Sequence, residues 1–284
     1  MDVEIANYSG YCFGVKRALR MARKALAEKG TGSKKVYTLG SIIHNPGVVR
    51  ELSGKGLISA SRIEDIEEGS VFVVRSHGMP PSVLGQLKSK GATIIDATCP
   101  FVKKAQSRAR KLARDGFHVI VIGDNGHPEV CGIRDQVDSS NIDVINGIKD
   151  LAALKKRKKM GIVVQTTQTM EKMRLLTCGL IDKTKELYLV NTICDTTKNR
   201  QDAVRELAGR VDIMLVAGGK NSANTSHLAH ISREKNPHTF HIEDSRDIKK
   251  EWFEGCRTAG ISGGASTPEK DILEIRKKIE DMEL

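Results

Sequence analysis

The sequence predicts an α/β protein of three similar small α/β domains, set as a pseudo-threefold trefoil around a central cavity. Three observations lead there. Short β-branched runs alternate with amphipathic stretches along all 284 residues. Cys12, Cys99 and Cys194 cut the chain into near-equal thirds, each between a strand-like run and a helical pattern, and each followed four residues later by a lysine (Lys16, Lys103, Lys198). Within each third the order also repeats, as strand, polar cluster, strand, second polar cluster, and then the strand that leads to the next cysteine.

The elements follow in that order. Residues 4–7 form a strand before Cys12, and the amphipathic stretch 14–28 a helix after it. Strand 35–39 precedes His44-Asn45-Pro46-Gly47, strand 71–75 ends at Ser76-His77-Gly78, and strand 93–96 leads to Cys99. The second third gives helix 102–115, strand 119–122 before Gly126-His127-Pro128-Glu129, and strand 142–145. Strand 161–164 then runs into Gln165-Thr166-Thr167, and strand 187–190 leads to Cys194. The last third gives helix 200–209, strand 213–216 before Asn221-Ser222-Ala223-Asn224, and strand 238–242. Strand 258–261 precedes Gly263-Gly264-Ala265-Ser266, and helix 269–280 follows. The last unit lacks a closing strand of its own, so the N-terminal strand must supply it. The expected domains are 12–98, 99–193, and 194–284 completed by 1–11. In parallel α/β units ligands gather beyond the C-terminal ends of the strands, where these clusters fall.

The formal net charge of +11 suits an acidic protein partner or a phosphorylated substrate. Its densest run, Lys155-Lys156-Arg157-Lys158-Lys159, reads as a solvated turn; no aromatic interleaving or nucleic-acid motif accompanies it, so no nucleic acid is expected. No apolar run reaches the ~18–20 residues that cross a bilayer. Met1-Asp2-Val3-Glu4 lacks the order of a signal peptide. A cytoplasmic location is expected, where the six cysteines serve as thiols or ligands rather than disulfides.

Three thiols at equivalent places suit zinc, copper(I) or an iron–sulfur cluster with one ligand missing, against the bland alternative of buried structural cysteines. Cys131, Cys178 and Cys256 share no such position. His44, His77 and His127, with Thr166, Ser222, Asn224 and Ser266, stand at strand ends as donors suited to an anion such as a diphosphate. Glu129, the only carboxylate in these clusters, is placed to hold or relay a proton, or else to favour a helix start.

Gly10-Tyr11-Cys12-Phe13-Gly14-Val15-Lys16-Arg17-Ala18, Asp96-Ala97-Thr98-Cys99-Pro100 and Gly126-His127-Pro128-Glu129-Val130 resemble signatures of the 4-hydroxy-3-methylbut-2-enyl diphosphate reductase family. Cys194-Asp195-Thr196-Thr197-Lys198-Asn199-Arg200-Gln201, Gly219-Lys220-Asn221-Ser222 and Gly263-Gly264-Ala265-Ser266 agree in order. The resemblance spans essentially the whole chain. It implies one 4Fe-4S cluster, which air degrades to 3Fe-4S or strips, held by Cys12, Cys99 and Cys194. It implies Glu129 as proton source and Thr166 as orienting the allylic hydroxyl. His44, His77, His127, Ser222, Asn224 and Ser266 would hold the diphosphate. Ferredoxin or flavodoxin with its reductase would deliver electrons, and the chain would act as a monomer or weak homodimer. Ala223 and Cys131 depart from the pattern, and Thr167 competes with Thr166 for the substrate-facing place. A non-redox hydro-lyase, a zinc enzyme and an RNA-associated binding protein are the competing readings.

Overall fold

Every strand pairing in the computed structural model, which describes residues 1–28 and 34–282, is parallel, and the strands fall into three sheets of four. After β1 (Asp2–Ile5), the first sheet holds β2 (Val36–Leu39), β3 (Leu57–Ala60), β4 (Val71–Val74) and β5 (Thr93–Asp96), in the order β3-β2-β4-β5. The second holds β6 (His118–Ile122), β7 (Ile142–Ile145), β8 (Arg157–Val164) and β9 (Thr184–Val190), in the order β7-β6-β8-β9. The third holds β10 (Ile213–Ala217), β11 (Thr239–Ile242) and β12 (Thr258–Gly263), and β1 closes it in the order β1-β12-β10-β11. The closing register runs from Asp2 opposite Thr258 to Ile5 opposite Ile261, so the N-terminal strand completes the sheet of the last third.

Parallel neighbours need crossover connections, and helices provide them. The α-helices of the described residues are α1 (Phe13–Ala27), α2 (Pro46–Gly54), α3 (Pro81–Ser89), α4 (Pro100–Arg114) and α5 (Pro128–Arg134), then α6 (Ile148–Ala153), α7 (Met170–Leu180), α8 (Asp195–Ala208), α9 (Ala223–Lys235) and α10 (Glu269–Glu280); α1, α4 and α8 lead from one sheet to the next, and α10 follows the last strand. Alternation along each strand sends successive side chains to opposite faces. In β10, Ile213, Leu215 and Ala217 pack with Ile272, Ile275 and Ile279 of α10, while Met214 and Val216 pack with Val204 and Leu207 of α8 and Leu228 of α9. In the second sheet, Ile120, Ile122, Ile162 and Val164 meet Met173, Leu176 and Leu180 of α7. Val119, Val121 and Val163 meet Ala105, Ala109 and Leu112 of α4 on the other face. Both faces of the central strands are therefore apolar, the pattern of a sheet covered on two sides.

The chain divides into two compact units. One comprises Met1–Val15, Ile43–Val48 and Asp195–Leu284 and carries the β1-β12-β10-β11 sheet. The other comprises Lys16–Ile42 and Val49–Cys194 and carries the other two sheets. No described helix is long and apolar enough to cross a membrane.

Three local expectations need correction. Arg157, Lys158 and Lys159 are not a turn but the start of β8, paired to β9 through Arg157 opposite Thr184 and Lys159 opposite Glu186. The edge strand β3 was not expected, and β1 begins at Asp2, two residues before the expected strand.

Candidate functional site

One backbone device recurs at all three predicted ligand cysteines. The Cys12 N–H donates to Ala265 O at 3.1 Å, the Cys99 N–H to Ser76 O at 2.9 Å and the Cys194 N–H to Thr166 O at 3.0 Å. Each acceptor belongs to the second polar cluster of its third, just beyond the C-terminal end of β12, β4 or β8. Each cysteine immediately precedes a helix (α1, α4 or α8), and all three are half-buried and outside any disulfide. At Cys12 the Sγ accepts from the Val15 N–H at 3.5 Å. A half-buried cysteine sulfur whose main chain is fixed in this way is the kind of soft donor that a thiolate-ligated iron–sulfur group takes. Cys131, Cys178 and Cys256 lie outside this device, and Cys178 is exposed.

The larger unit holds Cys99, Cys194, His77, His127, Glu129 and Thr166. His127 caps α5, its Nδ1 accepting from the Glu129 N–H at 3.2 Å. With Nδ1 accepting, Nε2 is the ring nitrogen left to donate. The His77 ring meets the His127 ring edge-on, centroids 5.5 Å apart. Glu129 is 1% exposed, and both its oxygens accept from Thr166: Oε1 from the N–H at 2.7 Å and Oε2 from the hydroxyl at 2.8 Å. Burial pushes its carboxyl up to about 7, the two Thr166 contacts opposing and the nearby Asp124 charge adding to the rise. A carboxyl there keeps its proton near neutrality and can give it away. The Thr167 hydroxyl accepts from Gln165 Nε2 at 2.9 Å.

Gly123, just past β6, lets this corner close. A Cβ there would stand 2.9 Å from both Gln165 Cβ and Val130 Cγ2. Gly123→Ala is therefore expected to push Gln165, and Thr166 after it, away from Glu129 and to destabilise the chain by about 1–3 kcal/mol. A urea midpoint equal to wild type would refute this.

The smaller unit holds Cys12, His44, Ser222, Asn224 and Ser266. Ser222 caps α9, its hydroxyl accepting from the Thr225 N–H at 3.3 Å and keeping its own proton to donate. Asn224 is 5% exposed, and its Nδ2 has no hydrogen-bond partner among the described residues. An unmet amide donor beside a helix N-terminus is what an anion would satisfy. The Ser266 hydroxyl donates to His44 O at 3.0 Å. Gly219 approaches the same carbonyl so closely that a Cβ would lie 2.9 Å from it.

Sequence reasoning missed two arginines. Arg17 donates to Thr98 O at 3.1 Å and Asp96 O at 3.4 Å, bracing the segment before Cys99. Arg200, 2% exposed, donates to Gly10 O at 2.9 Å and Gly263 O at 3.1 Å. Both lie in motifs quoted above, but their acceptors are main-chain carbonyls that no sequence pattern marks.

The family described as LytB protein matches residues 3–280. The chain is 41% identical to the 4-hydroxy-3-methylbut-2-enyl diphosphate reductase of Aquifex aeolicus, over 99% of this chain and 97% of that protein. It is 43% identical to the same enzyme of Geotalea uraniireducens, over 99% and 97%. A solved structure of (E)-4-hydroxy-3-methyl-but-2-enyl diphosphate reductase, described as the terminal enzyme of the non-mevalonate pathway, aligns with a TM-score of 0.72 at 41% identity. It covers 99% of this chain and 100% of that one. The Plasmodium falciparum E-1-hydroxy-2-methyl-but-2-enyl-4-diphosphate reductase aligns with a TM-score of 0.94 at 25% identity, covering 99% and 89%.

Proposed function

The chain belongs to the LytB family, and on that premise we propose that it reduces 4-hydroxy-3-methylbut-2-enyl diphosphate, removing the allylic hydroxyl as water. Two electrons and two protons give isopentenyl and dimethylallyl diphosphates. Its relatives are oxidoreductases by name, and their similarity extends over nearly the whole chain.

Cys12, Cys99 and Cys194 would hold one 4Fe-4S cluster, which supplies electrons and Lewis acidity at the iron that lacks a protein ligand. Glu129, kept protonated near neutrality by burial, gives the proton. The Thr166 hydroxyl fixes the carboxyl and orients the substrate hydroxyl. The amide of Asn224, the Ser222 hydroxyl and the imidazoles of His44, His77 and His127 pin the diphosphate by hydrogen bonds, joined by the Ser266 hydroxyl when it turns from His44 O, fixing the allylic end by its remote anchor. Ferredoxin or flavodoxin is the donor class, and a chain of net charge +11 attracts such acidic carriers.

The observation that carries this reading is the position of Thr166. Its carbonyl holds the Cys194 N–H, while its own N–H and hydroxyl hold Glu129. One residue thus ties a ligand cysteine to the buried acid, a link that a structural cysteine or an RNA-binding surface does not require.

The test is anaerobic turnover after loading with iron and sulfide. About two reducing equivalents are expected to disappear per substrate consumed, with five-carbon diphosphates as products. Consumption without reductant would favour a hydro-lyase. A chain that stays colourless would favour zinc or a structural role.

A further inference from the structure

Two loops of the smaller unit are zipped together beside Cys12. The Gly263 N–H donates to the Ser9 hydroxyl at 3.2 Å, and the Cys12 N–H to Ala265 O at 3.1 Å. They run so close that a Cβ on Gly263 would stand 3.1 Å from the Gly10 nitrogen. Ser266, next after Ala265, donates to His44 O. The 9–12 loop and the 263–266 loop are thus tied together, the first carrying the predicted ligand Cys12 and the second the predicted diphosphate contact Ser266.

Arg200 spans this seam from α8. The residue is 2% exposed, and its guanidinium reaches Gly10 O at 2.9 Å and Gly263 O at 3.1 Å, one carbonyl on each loop. A buried guanidinium is costly to desolvate, and a planar fork meeting two carbonyls fixes both with charge-assisted hydrogen bonds. Gly10 adopts φ +95°, a conformation side chains rarely take, so its carbonyl direction depends on what holds it.

We propose that Arg200 is a positioning residue, clamping the Cys12 loop to the Ser266 loop so that the thiol and the diphosphate contacts keep one fixed spacing. The proposal rests on the reductase reading for its consequence in turnover, and on the hydrogen bonds alone for its consequence at Cys12.

The test compares Arg200→Met and Arg200→Lys with wild type in the full-length chain. In the iron-free protein, iodoacetamide is expected to alkylate Cys12 about tenfold faster in the Met variant, the measure of a locally loosened loop. Cys99 and Cys194, held by other carbonyls, are expected to stay within about twofold and serve as internal controls. Lysine, a point charge that meets one carbonyl at a time, is expected to restore part of the protection. After loading with iron and sulfide, kcat is expected to fall about 100-fold in the Met variant and less in the Lys variant. An unchanged Cys12 rate, or an equal rise at all three thiols, overturns the proposal, the latter by revealing general unfolding. A wild-type chain that loads iron and sulfide yet turns over no substrate removes the reductase reading, and the Cys12 rate still decides the role of Arg200.

Discussion

Cys99→Ser is expected to bleach the protein and abolish turnover while leaving the chain folded. Cys99 occupies the N-cap of α4 with φ −58° and ψ 135°, yet its thiol makes no capping hydrogen bond. Serine is among the best N-cap residues and cysteine is not, so the substitution is expected to hold or slightly raise stability, within about 1 kcal/mol. The Cys99 N–H contact to Ser76 O is main chain and survives. Only the proposed ligand atom changes, from a soft sulfur to a hydroxyl that binds iron poorly at neutral pH. About four irons per wild-type chain should fall to three or fewer, and kcat by about 10³-fold or more. Iron analysis, the visible spectrum and Tm read the three consequences separately. Cys131→Ser, outside the repeated device, is expected to retain iron and colour. A brown, active Cys99→Ser protein would remove Cys99 from the ligand set.

How much of this was legible before the structure differs from residue to residue, and the reason is physical. Side-chain chemistry is written in the sequence: three thiols in one repeated context, a lone carboxyl beside a histidine, hydroxyls and amides after strands. The three-sheet architecture was legible for the same reason, since strands covered on both faces must be apolar at every position, as in Val119-Ile120-Val121-Ile122. β8 escaped at its start because it runs past β6 to pair with β9 alone, where Arg157 and Lys158 are exposed and nothing requires an apolar side chain. β3 escaped because a four-residue edge strand with Ile58 and Ser59 exposed has no period long enough to read. Arg200 escaped because its partners are carbonyls 63 and 190 residues away. Thr166 was read as a substrate contact, but its double hold on Glu129 and its carbonyl hold on Cys194 belong to tertiary geometry.

Glu129→Gln is expected to separate the acid's role in turnover from its cost to the fold. Glutamine keeps the shape and an oxygen to accept from the Thr166 N–H, now at 2.7 Å, but cannot give up a proton. Loss of a positioned proton donor is expected to lower kcat about 10²–10⁴-fold with KM nearly unchanged, because the substitution leaves the proposed diphosphate contacts in place. Wild-type kcat should fall as pH rises through about 7, where the buried carboxyl ionises, and the variant should lose that limb. In the variant, stability changes in the opposite sense to activity. The folded carboxyl titrates near 7 against an ordinary value of 4.5, so the native state holds the proton more tightly than the unfolded chain. Its contribution to stability is complete below the ordinary value and is lost as pH rises to about 7, by about 3 kcal/mol over that window. Glutamine has no such slope, so the variant should gain on wild type across the same window and be the more stable protein at pH 8. Urea unfolding at pH 5 and pH 8 reads the difference. Parallel stability curves for the two proteins would show that Glu129 is ionised in the fold across that range, and it would then have no proton to give at neutral pH.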